Sequence, residues 1–256
     1  MTSRELFDMK NLRFFTLIAF SAQVFAQDKV PVGTILPVQL NSSLRSDKAR
    51  AGQQVTARIM QDVPLVDGGR IPTGAKVIGH VVSAQPAEKG TRGGISLRFD
   101  TLEIGRHHIE ITTNLRALAS MMEVSGAQIP ESGPDRGTSE SEWTTRQIGG
   151  EVVYRGGVVT HGSTIVGKSD VGGGVLGHVA PKPGLKCRGE VDGNDRLQAL
   201  WVFSSDACGL YGFEDLSLTH AGRSDPVGVI TLNSSKGNVK VRAGSGMLLR
   251  VNRTAP

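Results

Sequence analysis

One stretch of this chain fits a formal phosphate-binding pattern: residues 162–169, GSTIVGKS, satisfy G-x-x-x-x-G-K-[ST]. That chemistry needs a strand before the loop and a helix after it, so that backbone N–H groups and a helix N-terminus meet the phosphates while Lys168 reaches the outer ones. The residues that follow, DVGGGVLGHVAPKP, oppose a helix, because each glycine costs about 1 kcal/mol there and Pro181 stops any continuation. The match is read as accidental, and no nucleotide or other cofactor is expected.

The remaining chemistry-bearing residues form no recognisable set. His107 and His108 are adjacent, which on a strand sends them to opposite faces, and His80, His161, His178 and His220 show no i, i+4 or i, i+2 spacing. No metal site is expected from them. Residues 192–195 (DGND) partly match an oxygen-rich calcium loop but lack the downstream Glu, so a tight turn accounts for them. No G-x-S-x-G elbow occurs, and neither cysteine stands near a recognisable His partner. The expectation is a non-catalytic protein. Cys187 and Cys208 are the only two cysteines, and pairing is the default for two thiols in an oxidising compartment. Trp201, Phe203, Tyr211 and Phe213 flank Cys208 and are read as core around that bridge rather than as a binding surface.

The elements that must position these residues are strands. Residues 34–41 place Leu36, Val38 and Leu40 on one face, and residues 53–63 do the same with Val55, Ala57 and Ile59. In residues 75–83, Ala75, Val77, Gly79 and Val81 share a face. Residues 95–104 bury Ile95, Leu97 and Phe99, but Leu102 and Ile104 have the opposite parity, which a bulge near Asp100 reconciles. Gly105-Arg106 fits a two-residue turn with Gly in the first central position, returning the chain as residues 107–113. Residues 115–124 (LRALASMMEV) read as a short helix, and residues 130–142 as an exposed loop. Residues 149–177 contain ten glycines and no persistent period, so no element is assigned there. Strand character returns at residues 197–204, 227–232 and 239–251.

Composition agrees with an all-β fold: 38% hydrophobic residues supply a core, while 33 glycines and only 5% aromatics suit many short strands and turns. The formal charge of +5 is spread over single Lys and Arg residues without a basic run, so no nucleic-acid partner is expected. Lys10 and Arg13 precede the apolar residues 14–20 (FFTLIAF), and Val24 and Ala26 are the small residues of a cleavage site before Gln27. Residues 1–26 are therefore expected to be a signal peptide, with Met9 as an alternative start. The apolar run is shorter than the roughly 20 residues that span a bilayer. The domain reading is residues 1–26 signal peptide, 27–118 the N-terminal part of a β domain, 119–195 a flexible Gly-rich insertion, and 196–256 C-terminal strands completing the domain.

Residues 31–40 (PVGTILPVQL), 70–81 (RIPTGAKVIGHV) and 239–251 (VKVRAGSGMLLRV) resemble the β-barrel domain of the TrbI-like proteins of type IV secretion and conjugal transfer. That family shows P-x-G-T-x-I/L-x-x-x-L, then I-P-x-G-[ST/A]-x-x-I/L-G, then a Gly-interrupted hydrophobic strand. The match covers about a third of the chain, and its motifs are structural. The resemblance implies a single β-barrel or sandwich interrupted by a long insertion, oligomerising with itself or with other envelope proteins, with peripheral outer-membrane association. A cleaved signal stands where the family has an inner-membrane helix, which implies a stand-alone, exported barrel in the periplasm or at the outer membrane. Two functions follow. One is an envelope structural or assembly protein; the alternative is a periplasmic binding module for a glycan or small ligand.

Overall fold

Side chains that alternate between apolar and polar can be covered on one face of a sheet, and that is how most of these segments are used. The computed structural model describes residues 30–139, 143–154, 157–181 and 187–254. The first part of the chain contains β1 (Ile35–Leu40), β2 (Leu44–Arg45), β3 (Gln54–Ile59), β4 (Val63–Pro64), β5 (Arg70–Ile71), β6 (Lys76–Gln85), β7 (Gly94–Ile104) and β8 (His107–Ala119). Then come the helix α1 (Met121–Ala127), a 3-10 turn at Pro134–Arg136, and the strands β9 (Thr144–Arg146), β10 (Val152–Tyr154), β11 (Val158–His161), β12 (Thr164–Ser169), β13 (Val175–His178) and β14 (Leu197–Ala199). The last are β15 (Gly209–Tyr211), β16 (Leu216–His220), β17 (Ile230–Ser234), β18 (Lys240–Val241) and β19 (Gly246–Thr254).

The fold is all-β, built on a closed six-stranded antiparallel barrel with additional strands. β1 pairs with β3, β3 with β6, β6 with β7, β7 with β8, β8 with β19 and β19 with β1. The closing strand comes from the far end of the sequence: Ile35 lies opposite Arg250, and Ala119 opposite Gly246. Leu36, Val38, Val55, Ile59, Phe99 and Leu249 are buried in the barrel's core cluster, so the interior is filled by side chains. The bulge expected near Asp100 is present. Ile78 pairs with Thr101 and Gly79 with Phe99, so Asp100 is the extra residue, and the parity switch between Phe99 and Leu102 follows. The two-residue turn is present as well: Ile104 pairs with His107, and Gly105 takes φ +61°.

Residues 115–119 are strand rather than the expected helix. β8 runs to Ala119, Ser120 caps α1 by accepting from the Glu123 N–H, and only residues 121–127 are helical. Every residue from Thr113 to Ala119 is buried, Leu115 and Leu118 in the barrel core and Ala117 and Ala119 in a second core. With both faces covered, the two-residue alternation that marks a strand disappears. β15 pairs in parallel with the end of β8, and β17 and β16 extend the edge of β7, giving a nine-stranded sheet.

The Gly-rich segment forms a six-stranded antiparallel sheet in the order β14-β13-β12-β11-β10-β9. The expected boundary at residue 196 is therefore displaced: Leu197–Ala199 pairs with β13 and does not complete the barrel. Its continuation is not strand, since Trp201 turns at φ +52°. Val159, Val175, Leu200, Trp201 and Phe203 pack with Ile35, Ala117 and Leu248 from the outer side of the barrel, which makes the second core. Residues 1–26, expected to be a signal peptide, lie outside the described residues, as do residues 140–142 of the expected loop. Among the described residues, no helix is long and apolar enough to cross a membrane.

Candidate functional site at the seam between barrel and second sheet

Polar groups concentrate where the second sheet meets the barrel. Arg116 on β8 has no solvent exposure. Its Nη1 donates to the Asp192 carbonyl at 3.0 Å and the Glu190 carbonyl at 3.4 Å, and its Nη2 donates to the Ser205 carbonyl at 3.3 Å and to the Ala180 carbonyl. The buried Glu190 carboxylate lies 3.7 Å from Arg116 and 3.7 Å from Arg250 on β19. Burial pulls the Arg116 pKa down, and Glu190 pushes it back up. Burial also raises the Glu190 pKa, opposed by the Asp192 N–H and the two arginines. Gly189 is required beside this group, because a Cβ there would sit 2.0 Å from the Arg116 carbonyl oxygen.

Two buried amides fasten the same seam. Gln61 donates to Asp170 and to the Val175 carbonyl, each at 3.0 Å, and accepts from the Trp201 N–H at 2.7 Å. Gln198 accepts from the Ile35 N–H at 2.9 Å. Cys187 and Cys208 form a disulfide with Cα atoms 5.7 Å apart, next to the stretch that carries Glu190. A disulfide is compatible with an oxidising, exported location.

A third group adjoins the seam through Ser205, whose carbonyl accepts from Arg116. Glu151 is 1% exposed, and its carboxylate accepts from the Ser205 N–H at 2.9 Å and the Ser205 hydroxyl at 2.5 Å. Ligand atoms of Glu151, His161 and Asp206 lie within 4.8 Å of one another, and among the described residues this is the set of His and carboxylate side chains able to hold a metal ion. Burial raises the Glu151 pKa most, the Ser205 hydrogen bonds and His161 lower it, and Asp206 raises it further.

The sequence-derived candidates take other places. Lys168 sits on β12, the second strand of a hairpin turning at Gly162, so no helix N-terminus meets the GSTIVGKS segment. Asn194 donates to the Gly33 carbonyl and accepts from the Arg196 N–H, and the Asp192 N–H donates to Glu190, so residues 192–195 serve the seam. Trp201 and Phe203 are buried, and the Tyr211 hydroxyl accepts from the Cys208 N–H at 3.0 Å. His80 pairs with Asp100 at 2.8 Å, while His107, His108 and His178 are exposed. Arg116, Glu151, Glu190 and Asp206 were not singled out by the sequence. The only trace of Arg116 is one charge inside the apolar run LRALA, and Glu151 and Asp206 come together only through the fold. No known family model matches this chain, and no curated protein matches it.

Proposed function

We propose that this protein is an exported structural or assembly component of the cell envelope, a stand-alone TrbI-like barrel that docks on copies of itself or on other envelope proteins. The observation that carries the reading is the division of labour between the two sheets. The barrel interior is filled with apolar side chains and leaves its lumen to packing, while Tyr154, Val158 and Ile165 on β10, β11 and β12 are exposed at 44%, 38% and 65%, and Val171 in the turn after β12 is fully exposed. Large apolar side chains left exposed on three neighbouring strands favour protein contact.

A second reading, a periplasmic module for a glycan or small ligand, rests on one cleft. A space of about 540 Å³ lies between β15 and β16, lined by Arg188, Leu210, Phe213, Leu216 and Thr219 among others. That volume is within the range of small-molecule sites. Light scattering coupled to size-exclusion chromatography of the exported protein separates the two. A closed oligomer supports assembly; a monomer whose melting temperature rises with added oligosaccharide supports the binding module.

A further inference from the structure

We propose that Glu151, His161 and Asp206 form a binding site for one divalent transition-metal ion of the zinc class. The three residues come from separate places: Glu151 just before β10, His161 at the end of β11, and Asp206 from the turn after the buried Phe203. Nothing local in the sequence requires them to converge, yet their ligand atoms lie within 4.8 Å of one another. Around a cation with bonds of about 2.0–2.2 Å, neighbouring ligand atoms stand about 3.3 Å apart in tetrahedral geometry. His161 is exposed, so its ring has the freedom to close the difference.

The chemistry of the set selects the ion. Two carboxylates and an imidazole suit zinc and its neighbours; calcium takes six to eight oxygens, and copper(I) prefers sulfur. The Glu151 carboxylate is held as a ligand should be. Ser205 donates its backbone N–H to one oxygen at 2.9 Å and its hydroxyl to the other at 2.5 Å, fixing the carboxylate's orientation while each oxygen keeps a lone pair for an ion. It is also a buried anion with a second carboxylate beside it, a combination that a dication relieves. The exposed His161 leaves an entry path, with water completing the shell. An ion there would clamp the β11 end of the second sheet to the turn that follows β14, close to the disulfide at Cys208.

The test is a zinc titration of the exported full chain, free of any affinity tag and freed of metal by chelator, against a chromophoric competitor. One equivalent of Zn²⁺ is expected to bind, with affinity reduced about tenfold or more in both His161→Asn and Asp206→Asn. His161 is exposed, so its variant should melt like the wild type when metal is absent. The double variant His107→Asn/His108→Asn, which removes a pair of exposed imidazoles elsewhere, should bind zinc like the wild type. Failure of the wild type to bind Zn²⁺, or equal binding by His161→Asn and the wild type, overturns the proposal. None of these outcomes depends on whether the protein assembles or binds a glycan.

Discussion

A guanidinium removed from water holds its place only while its donors are bonded, and Arg116 meets that condition by reaching four carbonyls on three separate segments. Arg116→Ala would leave those carbonyls without their donor and the buried Glu190 with Arg250 as its one neighbouring cation, and an expected loss of about 3–5 kcal/mol should appear in urea denaturation. Arg116→Lys keeps the charge but replaces a planar fork by one ammonium, so it should recover only part of the loss. Glu151 gives a second expectation, in pH. Its pKa is raised in the fold, so the folded protein holds that proton more tightly than the unfolded chain does. Its contribution is therefore most favourable at low pH, and it is lost as pH rises above the ordinary value of 4.5. In chelator, Glu151→Gln should flatten this part of the stability profile, measured by denaturant unfolding from pH 4 upward. An unchanged slope would show that Glu151 does not carry it. Asp62 and Glu103, whose pKa values are lowered, act in a separate window below their ordinary values, where stability is lost as pH falls.

Among the elements, the segment that joins β13 to β14 and the turn between β14 and β15 depend on the Cys187–Cys208 bridge. The bridge spans 21 residues, and in the chain-entropy model closing such a loop stabilises by about 3 kcal/mol. Unfolding by urea with and without reductant should differ by about that amount, and equal midpoints would show that the seam holds this segment unaided. The elements also show what the sequence could reveal. β3, β6 and the first half of β7 have one covered face, so Val55, Val77 and Leu97 announce them; β1 is covered on both faces, yet Leu36, Val38 and Leu40 still mark its barrel side, and the opposed parity of Phe99 and Leu102 reveals the bulge at Asp100. The second half of β8 hides because Leu115 faces one core and Ala117 the other, erasing the alternation. β10 to β13 hide for a different reason: they are three to six residues long, and Gly167 and Gly177 occupy positions where a side chain would mark the face. At Gly167 a Cβ would come within 2.4 Å of the Leu176 carbonyl oxygen, so the glycine that obscures the pattern is what lets the strands meet. The metal cluster was out of reach of spacing rules altogether, since Glu151, His161 and Asp206 are neighbours only once the second sheet has formed.

At the scale of the whole molecule, the barrel is a circular arrangement closed by its last strand. β19 stands between β1 and β8, contributing Leu249 and Val251 to the barrel core and Leu248 to the second core. It also carries Arg250, which neighbours the buried Glu190. Deleting residues 246–256 would thus open two strand edges at once, expose both cores and remove one of the two cations beside a buried carboxylate. By contrast, residues 130–139 lie at the surface, where Ser132 bridges Thr144 and Glu131 pairs with Arg146. Shortening the 130–142 segment changes mainly loop closure, a small term. The expected outcome is a cooperative melt close to wild type for the loop deletion and loss of cooperative folding for the strand deletion, followed by circular dichroism. A cooperative melt near the wild-type temperature without β19 would mean that β1, β3, β6, β7 and β8 form a stable sheet on their own, and that closure of the barrel is dispensable.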